Sequence, residues 1–156
     1  MNRILTFKPE NPLNIDWYRL ALVILTGCAI SLMTVLNNQQ LSIWVVGIAA
    51  IIALIPIIDQ FFVLVSNQKL INKLWDIVNS EELIDKTIIE HREYTYNSVV
   101  IKVYSDSKMY RLDFYANGIR HSNNVYHLDD RITESFQSMI IDKKRHSWGM
   151  SYYVAK

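Results

Sequence analysis

The chain has one cysteine among 156 residues, and only three prolines and four glycines. A single thiol, Cys28, allows no intrachain disulfide. The domain-sized segment from 66 to 156 has Gly118 and Gly149 as its only glycines, so no glycine-rich phosphate loop is present. Neither charge sign is in excess, with 16 Lys and Arg against 15 Asp and Glu, which excludes a nucleic-acid coat protein held by bulk charge. His91, His121, His127 and His146 are not at i,i+4 spacing and the cysteine lies far from them, so no metal set is expected. No serine lies in a G-x-S-x-G context. No catalytic residue, metal or cofactor is therefore assigned; a histidine-based ribonuclease carries no sequence signature.

Charge is also lacking locally. Residues 20–65 hold Asp59 alone, whereas residues 66–156 hold 13 Lys and Arg and 12 Asp and Glu. Two uncharged runs, 20–36 and 41–58, flank the polar segment Asn37-Asn38-Gln39-Gln40, and apolar residues 61–65 prolong the second. Runs of this length match the thickness of a bilayer, and so short a connection implies an antiparallel transmembrane helical hairpin. Arg3, Lys8 and Arg19 precede it, Lys69 and Lys73 follow it, and the turn carries no positive charge, so both termini are expected in the cytoplasm. Asp59 fits either the cytoplasmic headgroup level or a place inside the bilayer, lining a pore or an oligomer seam. The domain reading is a two-span anchor over 1–66 and a cytosolic sensor domain over 67–156.

The second part reads as α+β, with helices covering one face of an antiparallel sheet. Leu70, Ile71, Leu74, Trp75 and Val78 are at helical spacing. Asn79 with Glu82 fits a capping box opening a second short helix, and 84–97 fits strand or helix. Asn117-Gly118 is a hairpin signal, predicting paired strands over 109–116 and 119–127, with a third strand over 99–104. That register sets Lys102 opposite Arg111 and Tyr115 opposite Arg120. Asp129 or Asp130 is placed to cap a helix with Ile132, Phe136, Met139 and Ile140 on its apolar face. Residues 142–146 read as a turn and 148–154 as a last strand.

One sheet face then collects Lys102, Tyr104, Arg111, Tyr115, Arg120 and Asn124. Cations hold phosphates, aromatic rings stack on bases and amides read base edges, so this face is the candidate ligand site. The basic run Lys143, Lys144, Arg145 and His146 is a second candidate, for the same ligand or for lipid headgroups. A solvated sheet face is the plain alternative, since Tyr and Arg are ordinary strand residues.

The two apolar runs, followed by the basic-aromatic region from Lys102 to Lys144, resemble in layout the two-helix membrane effectors of type III CRISPR systems. The resemblance implies a multi-pass inner-membrane protein of antiviral defence. Its soluble part would bind a cyclic oligoadenylate, with cyclic tetra-adenylate the expected ring, and a homo-oligomer, a tetramer, would perturb the lipid bilayer. The alternative is a membrane-tethered protein-interaction module, or a complex subunit without a small ligand.

Overall fold

The computed structural model describes residues 1–13, 17–36, 42–89 and 91–156. In chain order the elements are β1 (Asn2–Phe7), α1 (Trp17–Leu36), α2 (Ser42–Ser66), α3 (Gln68–Ser80), β2 (Ile84–Ile89), β3 (Arg92–Ser98), β4 (Val100–Ser105) and β5 (Met109–Tyr115). A 3₁₀ turn (Ser122–Tyr126), α4 (Asp129–Phe136), β6 (Ile140–His146) and β7 (Gly149–Ala155) complete the chain. Two compact units result. One joins Met1–Pro12 to Val63–Lys156, and the other is Leu13–Phe62.

The larger unit is α+β. Its sheet is antiparallel throughout, in the order β1-β4-β5-β7-β6, with β2 and β3 forming a separate two-stranded ribbon. Alternation along each strand sends Leu5, Phe7, Ile101, Val103, Leu112, Phe114, Met150, Tyr152 and Val154 into one buried core. Helix α3 covers that face with Ile71, Leu74, Ile77 and Val78, and α4 with Ile132 and Phe136. Phe7 meets Trp75 edge-on at 5.3 Å, and Phe114 meets Tyr152 at 5.8 Å. Tyr152 is fully buried. Its hydroxyl donates to the Val125 carbonyl at 2.8 Å and accepts the Leu128 N–H at 3.2 Å.

Several expectations are corrected. Among the described residues, no helix is long and apolar enough to cross a membrane, so the transmembrane hairpin over 20–65 is withdrawn from the fold class. The expected turn at 37–40 lies outside the described residues. Helices α1 and α2 stand in place of the hairpin, with exposed Leu25, Leu32, Met33, Ile51, Ile55 and Phe62. Strand β1, which the apolar pattern does not announce, closes one edge of the sheet against β4.

Residues 119–127 are not a strand. Asn117 and Gly118 adopt the positive φ values expected, 45° and 75°, and Ile119 N–H bonds to Ala116 O at 3.0 Å, so the tight turn forms. The chain then leaves the sheet, because β7 holds the edge of β5 and brings Met150, Tyr152 and Val154 into the core. The polar sequence His121–Asn124 has no comparable apolar gain to offer.

The basic run 142–146 is strand β6 rather than a turn, at the sheet edge where lysines are well tolerated. No helix begins at Asn79; Glu82, at φ 52°, turns the chain from α3 into β2. Leu128, not an aspartate, is the N-cap of α4, while Asp129 and Asp130 occupy its first turn, where the helix dipole favours negative charge. Met139 is exposed and Ile140 belongs to β6. The β4–β5 register also moves by two residues, pairing Tyr104 with Arg111 and Lys102 with Asp113, which preserves the faces.

Burial pushes the Tyr152 phenol up to about 12, while the bond from the Leu128 amide acts the other way. An unfolded tyrosine ionises near 10, so the folded state holds this proton more tightly. Its stabilising effect is whole below about pH 10 and is lost as pH rises toward 12. Tyr152→Phe is expected to cost about 1–2 kcal/mol at pH 7, through the two unpartnered backbone groups. Urea unfolding of parent and variant from pH 7 to 11.5 checks this. The stability gap between them should narrow above about pH 10; a gap that stays constant refutes the assignment.

Candidate functional site

Among the described residues, α3 and α4 pack on the core face of the sheet, and the opposite face carries polar side chains. Direct cross-strand pairing sets Lys102 beside Asp113, Tyr104 beside Arg111, Arg111 beside Tyr153, Asp113 beside Ser151 and Lys144 beside Ser151. Since paired residues share a face, four strands, β4, β5, β7 and β6, contribute to one polar surface. At its centre, on the middle strand β5, Asp113 is only 1% exposed. Arg111, two residues earlier on the same face, grips it through Nε at 3.0 Å and Nη2 at 2.8 Å. Ser151 Oγ donates to Asp113 Oδ1 at 2.7 Å, and His146 Nε2 lies 3.1 Å from the same Oγ.

This network sets the electrostatics of the face. The hydrogen bond to Asp113 raises the Arg111 pKa above its ordinary value, and burial opposes it. Arg111 is therefore a permanent cation whose plane is fixed by the carboxylate below and by the Tyr104 ring, 4.3 Å from the guanidinium carbon. Of its five N–H groups, two are used on Asp113; the remainder are directed away from the carboxylate.

Beside it runs a column of rings. Tyr115 stacks on Trp148 at 4.1 Å and Trp148 on His146 at 4.4 Å, both nearly parallel, and Lys102 Nζ caps the Tyr115 end at 4.3 Å. The two-residue loop Ser147-Trp148 between β6 and β7 folds the indole back onto the sheet. Gly149 permits this, with a φ of 150°; a Cβ there would run into the Phe114 carbonyl.

Lys102, Tyr104, Arg111 and Tyr115 thus share one face as expected, joined by His146 and, by register, Lys144. Stacking of a base on Tyr115 is not open, because Trp148 and Lys102 occupy its ring faces. Arg120 and Asn124 lie elsewhere. The Arg120 N–H bonds to the Asp85 carboxylate at 3.0 and 3.2 Å, and Asn124 Nδ2 donates to the Glu81 carbonyl at 2.8 Å. Lys143 and Arg145 are on the core side at the sheet edge, where Lys143 pairs with Asp129 at 2.8 Å and Arg145 lies over Tyr126 at 4.3 Å. Trp148, Ser151 and Tyr153 join the face without any spacing motif to mark them; only strand alternation along β7 could have found Ser151 and Tyr153. Among the described residues no cluster fit to hold a metal ion is present.

Comparison with protein-family models, curated proteins and solved structures gives no match for this chain.

Asp113→Ala is expected to cost about 3 kcal/mol of stability, since it leaves Ser151 without its acceptor and Arg111 without its counter-charge. Ser151→Ala, which removes one of several bonds to the carboxylate, is expected to cost about 1 kcal/mol. Equal losses in chemical denaturation would show that the carboxylate does not organise the face.

Proposed function

We propose that this chain is a receptor for a phosphate-bearing nucleotide, bound on the polar face of the five-stranded sheet. The observation that carries the reading is Arg111, fixed by a buried carboxylate with part of its guanidinium left for a ligand. An arginine fork pre-oriented in this way suits a phosphodiester, each charge-assisted contact contributing roughly 1.5–3 kcal/mol. Lys102 and Lys144 supply further positive charge on the same face. The ligand class follows the part of the resemblance that the basic-aromatic region from Lys102 to Lys144 carries: a cyclic oligoadenylate, with cyclic tetra-adenylate as the first compound to test, acting through a homo-oligomer in antiviral defence.

Calorimetric titration of the full chain with cyclic tetra-adenylate tests this. Arg111→Lys retains the charge but not the paired fork, and should weaken binding about tenfold, near 1.4 kcal/mol. Lys143→Ala and Arg145→Ala, on the other side of the sheet, should bind as the parent does. An Arg111→Lys protein that binds like the parent overturns the site.

A second reading, a protein-interaction module with no small ligand, is favoured by the β2–β3 ribbon, which leaves Ile88, Ile89 and Tyr94 exposed. It is preferred if neither cyclic tetra-adenylate nor its linear form gives heat with the parent.

We propose further that the chain resides at the inner membrane with both termini in the cytoplasm. The proposal concerns location and claims no span; the exposed apolar side chains of α1 and α2 support it. Cell fractionation should recover the protein with membranes, and a reporter fused after Lys156 should behave as cytosolic. Recovery in the soluble fraction, or an externally active reporter, refutes it.

A further inference from the structure

A cavity of about 300 Å³ opens where the end of α3, the β2–β3 ribbon and the loop after Gly118 meet. It is separate from the polar sheet face and shares no lining residue with it. Its apolar side is Val78 and Ile84. Its polar side is built around one costly arrangement. Asp85, 4% exposed, gives both carboxylate oxygens to the backbone N–H of Arg120 at 3.0 and 3.2 Å. A buried charge is thus used to pin one peptide group of a loop.

Two longer bonds also tie the rest of that loop. Asn117 Nδ2 donates to the Ser98 carbonyl at 3.2 Å, and Asn97 Nδ2 to the Gly118 carbonyl at 3.5 Å. At the opposite rim Glu82 holds a φ of 52°, a conformation that costs a non-glycine residue energy, and its carboxylate lies 3.7 Å from His121. The walls of the cavity are therefore set before any ligand arrives.

What the loop presents is the Arg120 side chain. Among the described residues its guanidinium forms no ion pair, in contrast to Arg111, Arg131, Lys86 and Lys143, each of which has a carboxylate within 3.0 Å. The Tyr96 ring lies 5.7 Å from the guanidinium carbon, the longest of the cation–ring distances in the chain's described residues. Tyr96 is itself 42% exposed. A pinned arginine without a counter-ion, next to an open aromatic ring and His121, is a place for an anion carried on a flat ring.

We propose that this cavity binds a mononucleotide. The phosphate would lie on Arg120 and His121, and the base against Tyr96. The volume is at the lower limit for small-molecule sites, enough for one nucleotide and not for an oligonucleotide ring. Glu82 offers an acceptor for ribose hydroxyls at the rim. The site is independent of the proposal for the sheet face and stands or falls alone.

The test is calorimetric titration of the full chain with adenosine 5′-monophosphate and, separately, inorganic phosphate. Arg120→Ala keeps the N–H that Asp85 accepts, so its thermal midpoint should match the parent. It should weaken nucleotide binding at least tenfold. Tyr96→Ala should weaken the nucleotide several-fold and leave phosphate unchanged. Arg145→Ala, on the core side at the sheet edge, should change neither. The proposal is overturned if the parent binds no nucleotide at millimolar concentration, if Arg120→Ala and Tyr96→Ala titrate like the parent, or if Arg111→Lys abolishes the binding that Arg120→Ala leaves intact.

Discussion

Asp113 is a carboxylate at 1% exposure on the central strand of the sheet, on the face opposite the one that α3 and α4 pack against. Its charge is tolerable there because Arg111 supplies two charge-assisted bonds and Ser151 a third. Each partner is held in turn, Arg111 by the Tyr104 ring and Ser151 by its contact with His146. His146 stacks on Trp148, Trp148 on Tyr115, and Lys102 closes that row. A surface that alternation alone would leave as separate solvated side chains is instead one connected layer, organised around a single anion.

The two arginines at the heart of the functional readings illustrate opposite uses of an aspartate. Asp113 binds the guanidinium of Arg111 and so fixes the direction of a charge. Asp85 binds the backbone of Arg120 and so fixes the position of a residue while leaving its charge unspent. The first arrangement favours a ligand that meets a rigid, partly neutralised fork. The second favours one that supplies the missing counter-ion.

Local patterns were readable wherever one short segment settles its own conformation. The helical spacing of Leu70 to Val78 placed α3, the alternation of Ile101 and Val103 with Leu112 and Phe114 placed the faces of β4 and β5, and Asn117-Gly118 formed the turn expected of it. What escaped depends on competition between distant segments. Nothing in Ile119–Asn124 says that β7 will take the edge of β5. The difference lies in which strand fills the sheet position, and β7 brings Met150, Tyr152 and Val154 into the core beside β5. For the same reason Lys102, Tyr104, Arg111 and Tyr115 were placed on one surface correctly while Arg120 and Asn124 were not. The basic run 142–146 looked like a turn by composition, yet its pairing with β7 is decided by the partner. The transmembrane hairpin was an argument from composition alone, and the described helices do not bear it out.

Strand β1 has a consequence for how the molecule is made. Its partner β4 follows about a hundred residues later in the chain. At about 5–20 residues per second, ribosomal synthesis separates the two strands by roughly 5–20 seconds. During that interval Leu5 and Phe7, both fully enclosed at the end, have no sheet to join. The nascent chain therefore carries a short apolar strand with an unsatisfied edge until β4 has been made, and closure of the sheet edge must wait for the downstream strands.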